Sequence, residues 1–339
     1  MTEKKKHRIS ILGDGGWGTA LAVVQTRRNN EVLLWSAFPD YSRELRETRV
    51  NRKFLPGVKL PDEIKITSDL KEALQFAEFI VFAIPTQYLR NILYQIKGTN
   101  FSAKYFVSVA KGVEKKTLLR PSQIIQTVLG KQIPLVVLSG PSHAKEVAQN
   151  LPTLLVAASD DERNAEAVQE AFADLHFRIY VQNDVIGVEL GGALKNVLAI
   201  AVGICDGLKL GDNCKAGLIS RALVEMTRFG IHFGANPNTF FGLSGLGDMI
   251  TTCISPYGRN LRVGRELGEG KTISEILKNM EMVAEGVESS ASVHELSEKY
   301  KVVTPIMSEV YEILFHDKPA KKEVADLLGR HAHQELKHF

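Results

Sequence analysis

The stretch Arg8-Ile9-Ser10-Ile11-Leu12-Gly13-Asp14-Gly15-Gly16-Trp17-Gly18-Thr19-Ala20-Leu21-Ala22-Val23-Val24 decides the fold. Ile9, Ile11 and Leu12 form a short apolar run that ends in a glycine cluster, as a buried strand does. Trp17, Ala20, Leu21 and Val24 then recur at i, i+3, i+4 and i+7, the period of a helix with one apolar face. Between strand and helix lies G-x-G-x-x-G, at Gly13, Gly15 and Gly18.

A glycine turn with these flanks has the form of a dinucleotide fingerprint. Gly13 permits the tight turn, Gly15 lets backbone approach a pyrophosphate, and Gly18 lets helix and strand pack closely. The unpaired N–H groups and positive dipole end of the helix face the anion. The alternative is a plain glycine-rich turn. Glu31-Val32-Leu33-Leu34-Trp35, a second strand at βαβ spacing, favours the fingerprint.

Cofactor choice is read at the end of that second strand. An acid about 20 residues after the glycines bonds the ribose 2′-hydroxyl and repels a 2′-phosphate. Ser36 stands 23 residues after Gly13, Ala37 follows, and Asp40 lies beyond Pro39. Neither a selective acid nor an adjacent arginine is present. Arg43 and Arg46, on a helix predicted over 41–50, either reach a phosphate or are solvated helix charges. The choice between NAD and NADP stays open.

Further strands are expected at Ile64–Thr67, Phe79–Ile84, Tyr105–Val109, within the βα stretch Leu135–Pro141, at Leu154–Ala158 and at Phe177–Val181, with helical patterns between them and a Ser68-Asp69 cap. Phe79–Ile84 is apolar throughout, as a central parallel strand buried on both faces should be. Such alternation specifies a Rossmann-type α/β domain with a doubly wound, mostly parallel sheet, over 1–183. From Asp184 the strand signals stop. Helical patterns at Val185–Cys205, Lys215–Phe233, Ser289–Lys301, Pro305–Phe315 and Lys321–Leu328 make 184–339 an all-α domain.

Composition fits this plan. The 339 residues, 44% hydrophobic, suffice for two cores, and a net charge of +3 implies neither a nucleic-acid nor a membrane surface. Cys205, Cys214 and Cys253 lie far apart without a C-x-x-C pair, as incidental reduced thiols do. Lys4, Lys5 and Lys6 precede an apolar stretch too short for a signal peptide, and no run of about 18 apolar residues occurs. A cytoplasmic protein without stable membrane insertion is expected. His331, His333 and His338 read as a solvated tail, and no metal site is expected.

Three polar clusters interrupt apolar surroundings. Val109-Ala110-Lys111-Gly112 follows a parallel strand at the carboxyl edge, where such sheets bind ligands. In Glu189-Leu190-Gly191-Gly192-Ala193-Leu194-Lys195-Asn196, a lysine and an asparagine break an apolar helix. Lys195 either snorkels outward or is buried with a partner for function. The third cluster is Gly242-Leu243-Ser244-Gly245-Leu246-Gly247-Asp248, then Thr251-Thr252-Cys253 and Pro256-Tyr257-Gly258-Arg259-Asn260. Its backbone N–H groups and guanidinium suit a phosphate or carboxylate, whereas the plainer reading is a capping Asn and a surface Arg.

In this order, G-x-G-x-W-G-T-A-L-A, Ala110-Lys111-Gly112, Ser139-Gly140-Pro141-Ser142, Gly191-Gly192-Ala193-Leu194-Lys195-Asn196, Gly245-Leu246-Gly247-Asp248 and Gly258-Arg259-Asn260 resemble the bacterial NAD(P)-dependent glycerol-3-phosphate dehydrogenases. The resemblance runs from Ile9 to about Arg330. It implies reversible reduction of dihydroxyacetone phosphate to sn-glycerol 3-phosphate, NAD(P)H as cofactor, supply of phospholipid synthesis, and a homodimer. It implies Lys195 as proton donor and acceptor. Substrate contacts would come from Lys111, Gly140, Ser142, Lys195, Asn196, Asp248, Gly258, Arg259 and Asn260. Dinucleotide contacts would come from the turn (Gly13, Gly15, Gly16, Trp17, Gly18) and from Ala37, Lys111, Ala144, Arg259, Val283 and Glu285. Two positions depart from the family pattern. Ala37 stands where members often carry a basic or polar side chain, and Gly258 where serine is frequent. The rival readings are a 6-phosphogluconate or ketopantoate type of dehydrogenase and a dinucleotide sensor without turnover.

Overall fold

A computed structural model describes residues 5–256, 258–280 and 284–329; Tyr257, Val283 and the histidines at 331, 333 and 338 lie outside them. Contacts divide the chain into two compact units, one of residues 1–110 with 121–185, the other of 111–120 with 186 onward. The sequence places a single boundary between 183 and 184. The contacts place it two residues later and add a second crossing, because 111–120 packs with the helices.

The first unit holds eight strands: β1 (Arg8–Leu12), β2 (Glu31–Trp35), β3 (Lys65–Thr67), β4 (Phe79–Phe82), β5 (Tyr105–Ser108), β6 (Leu135–Ser139), β7 (Thr153–Ala158) and β8 (Phe177–Gln182). They form one sheet in the order β3-β2-β1-β4-β5-β6-β7-β8. Every pairing is parallel except β6 with β7, so the sheet is mostly parallel and doubly wound. All four residues of β4 are at most 1% exposed, as burial between two helical layers requires. Helix Gly16–Arg27 follows the glycine turn and buries Ala20, Leu21 and Val24. Asp69 caps helix Leu70–Phe76 by accepting from Lys71 N and Glu72 N.

The second unit is helical. Its central helix, Val185–Gly207, is long and apolar enough on average to cross a membrane, although Glu189 and Lys195 interrupt it; 89% of its most apolar stretch is buried inside the protein. Helices Gly211–His232, Glu285–Tyr300, Pro305–Phe315 and Ala320–Leu328 match the periodic segments of the sequence. Three shorter helices were not legible there: Asp248–Ile254, Arg259–Gly268 and Ile273–Lys278. The middle one packs on the central helix through glycines. A Cβ at Gly203 would lie 2.2 Å from Leu261 O, one at Gly264 2.0 Å from Ile200 O, one at Gly207 2.2 Å from Arg265 O, and one at Gly268 2.5 Å from Ile204 O. Buried Glu225 accepts Ile306 N and Met307 N at 2.9 and 2.8 Å, satisfying the first turn of Pro305–Phe315.

Candidate active site

The glycine turn sits at the carboxyl end of β1. Gly13 has φ +120°, and a Cβ there would meet Ala83 O at 2.4 Å, so sterics alone require glycine. Gly15 differs: its φ of −61° is ordinary and a Cβ would meet nothing within 4 Å. Neither backbone nor packing demands glycine at that position. Close approach of a pyrophosphate would, and the first intrahelical bond, Thr19 N to Gly15 O at 2.9 Å, leaves the earlier N–H groups without a partner inside the helix, as an anion site requires. The residues present therefore fit a dinucleotide.

Asn51, which the sequence does not single out, braces this turn. Its Nδ2 donates to Asp14 O and Thr19 Oγ1, both at 2.7 Å, while its Oδ1 accepts Tyr41 OH at 2.7 Å. Ser36 Oγ donates to the buried Asp14 Oδ2 at 2.6 Å, and burial pushes the Asp14 carboxyl above the usual carboxylate range against that bond. Ala37 is exposed. Half-buried Trp17 packs on Phe177, with ring centroids 6.4 Å apart. Ala144, at the start of helix Ala144–Ala148, lies beside the turn, its Cβ 3.7 Å from where Gly16 would carry one. Gly140 ends β6 at φ +135°, and its carbonyl accepts Ser142 Oγ at 2.9 Å.

In the helical unit a single carboxylate gathers two lysines. Asp248 Oδ1 accepts Lys195 Nζ at 2.5 Å and Asp248 Oδ2 accepts Lys111 Nζ at 2.6 Å; their side chains are 1%, 9% and 15% exposed. A π-helical turn, Leu243–Gly247, delivers Asp248 to the start of its helix. Thr252, one turn on, accepts Lys195 Nζ at 2.7 Å and donates to Asp248 O at 2.7 Å. The lysine does not snorkel. Burial lowers the Lys195 pKa from 10.5 to about 8; Asp248 opposes this and the like charge of Lys111 adds to it. Cys253 nearby is no thiolate, since burial pushes it up to about 12.

Asn196 and Asn260 form the next layer. Asn260 Nδ2 donates to Asn196 Oδ1 and Asn260 Oδ1 accepts Gly286 N, both at 3.0 Å. These bonds fix the Asn196 amide so that its Nδ2 is the outward donor. Asn260 is thus buried inside the first turn of Arg259–Gly268, not a cap; the cap position is Gly258, which has no side chain to offer. Arg259 is exposed and half-buried Glu285 feels its charge ahead of those of Lys111 and Lys195, although burial still pushes the Glu285 carboxyl upward.

The sequence matches the family described as NAD-dependent glycerol-3-phosphate dehydrogenase, its N-terminus over residues 8–165 and its C-terminus over residues 184–325. A glycerol-3-phosphate dehydrogenase (NAD(P)+) from Chlorobium phaeobacteroides is 45% identical over 331 residues, 97% of this chain and 99% of that protein. The chain belongs to this family. The Bacillus subtilis glycerol-3-phosphate dehydrogenase (NAD(P)+) is 44% identical, covering 95% of this chain and 94% of its own length. The crystal structure of glycerol-3-phosphate dehydrogenase from Coxiella burnetii superposes with a TM-score of 0.92 at 39% identity, over 96% of this chain and 99% of that one. In this member of the glycerol-3-phosphate dehydrogenase family, sequence reading missed Asn51 and gave Thr252, though within the third cluster, no role beside Lys195. The signal for Thr252 was available: four residues after Asp248 on a helix, it shares that residue's face.

Proposed function

We propose that this protein reversibly reduces dihydroxyacetone phosphate to sn-glycerol 3-phosphate with NAD(P)H, in the cytoplasm and as a homodimer, supplying glycerophospholipid synthesis. Family membership supports the reaction class. The observation that carries the mechanism is Lys195, a buried ammonium whose pKa lies at about 8. When bound, the reduced dinucleotide supplies hydride to C2 of the ketone, leaving charge on its oxygen. Lys195 stabilises that oxygen and gives it a proton. Two of its three N–H groups go to Asp248 and Thr252, which fix the ammonium and leave the third for the substrate oxygen. In the reverse direction neutral Lys195 takes the hydroxyl proton.

Lys111 shares Asp248 and adds positive charge beside the developing alkoxide. Asn196 Nδ2 donates to a substrate hydroxyl, held in place by Asn260. Arg259 and the backbone at Gly258 anchor the phosphate, and Gly140 and Ser142 add substrate contacts as the family resemblance implies. On the cofactor side the turn from Gly13 to Gly18 takes the pyrophosphate, with Ala37, Ala144, Arg259 and Glu285 as further contacts. The test is Lys195→Met. Turnover of dihydroxyacetone phosphate should fall by about 10²–10⁴ while NADH binding stays within about twofold; near-normal turnover removes Lys195 from the chemistry.

A further inference from the structure

The carboxyl end of β2 is where a dinucleotide fold meets the adenosine ribose; an acid there bonds the 2′-hydroxyl and an arginine pairs with a 2′-phosphate. This chain presents buried Ser36 and exposed, uncharged Ala37. The two arginines that follow are engaged elsewhere. Arg43 pairs with Asp40 on its own helix, and Arg46 Nη1 donates to Ile66 O at 3.3 Å.

A carboxylate reaches the same strand end from the glycine turn instead. Asp14, 7% exposed, receives the Ser36 hydroxyl on Oδ2 at 2.6 Å. Besides Ser36, only its own backbone N–H bonds the carboxylate among the described residues. Two oxygens carry about four lone-pair sites, so two donors leave room for an arriving hydroxyl. The carboxylate repels a phosphate dianion in the same place. Asn51 holds the Asp14 carbonyl at 2.7 Å, which limits any swing of the residue away from Ser36. Lys53, whose charge also reaches Asp14, is exposed over the Phe54 ring, 5.0 Å from its centroid, and is screened by solvent.

We propose that Asp14, positioned by Ser36, selects NAD(H) over NADP(H), supplying from within the glycine turn the acid that is missing at the end of the second strand. The proposal rests on the dehydrogenase reading only in requiring a dinucleotide at this turn. The experiment titrates the full-length protein with NADH and with NADPH by nucleotide fluorescence, without substrate, for the wild type and for Asp14→Asn. Steady-state rates with dihydroxyacetone phosphate are then measured with both nucleotides. The wild type should bind NADH at least about tenfold more tightly than NADPH. Asp14→Asn still accepts from Ser36 but lacks the charge, and should narrow that ratio about tenfold, mainly by strengthening NADPH. Equal wild-type affinities, or an unchanged ratio in Asp14→Asn, overturn the proposal, and the first of these is read even if the variant does not fold. Selective NADH binding without turnover supports the assignment of Asp14 and removes the dehydrogenase reading, whereas binding of neither nucleotide overturns both.

Discussion

A proton donor that works near neutral pH needs a pKa close to the pH of use, and at Lys195 burial does most of that tuning. The sign of the pH dependence follows. Below about 8 the lysine holds the proton that the proposed reduction requires; above it, the neutral amine is free to take the proton that the reverse reaction releases. The rate of reduction should therefore fall as pH rises through about 8 and the rate of oxidation should climb through the same value, as kcat measured in both directions will show. Asp248→Asn removes the charge that opposes burial, so the reduction limb should move to lower pH. How much of this was legible is instructive. A lysine breaking an apolar helix is visible in the sequence, but its partners lie 53 and 57 residues away. Periodicity measures local spacing, so it could not decide between a snorkelling and a buried ammonium. Ser36 and Asp14 pose the same difficulty: nothing in either segment marks them, and they meet only across 22 residues.

Among the elements, strands were the easier reading. β4 is apolar at every position because the layers on both sides demand it, and no tertiary knowledge is needed to see that. Helix Arg259–Gly268 was missed because Gly264 and Gly268 dilute its pattern and argue locally for a turn. Packing overrides propensity there. Replacing a helical glycine by alanine ordinarily stabilises by about 1 kcal/mol. At Gly264 the added Cβ would lie 2.0 Å from Ile200 O, a backbone atom that cannot turn aside. Gly264→Ala should thus lower stability by about 1–3 kcal/mol in chemical denaturation. Gly217→Ala, in Gly211–His232 with nothing within 4 Å of the new Cβ, should instead raise it by up to about 1 kcal/mol.

For the whole molecule, the feature that sequence reading did not deliver is the ten-residue excursion 111–120. It is tied to the helical unit by an ion pair between Arg120 and Glu189, by Lys111 on Asp248, and by Ser292 Oγ donating to Val113 O at 3.2 Å. Arg120 and Glu189 side chains are 15% and 1% exposed, so removing one takes a close counter-charge from the other in a low-dielectric interior. Glu189→Leu should cost about 3–5 kcal/mol by denaturant titration, and adding Arg120→Met should recover most of that loss. A single variant that unfolds like the wild type would mean the pair is not what holds the excursion. The excursion also imposes an order of events on the growing polypeptide. Lys111 and Arg120 leave the ribosome well ahead of their counter-charges, which follow 137 and 69 residues later. Arg120 can meet Glu189 first, and Lys111 waits for Asp248. The lysine–aspartate cluster therefore cannot assemble until 248 of the 339 residues have been made.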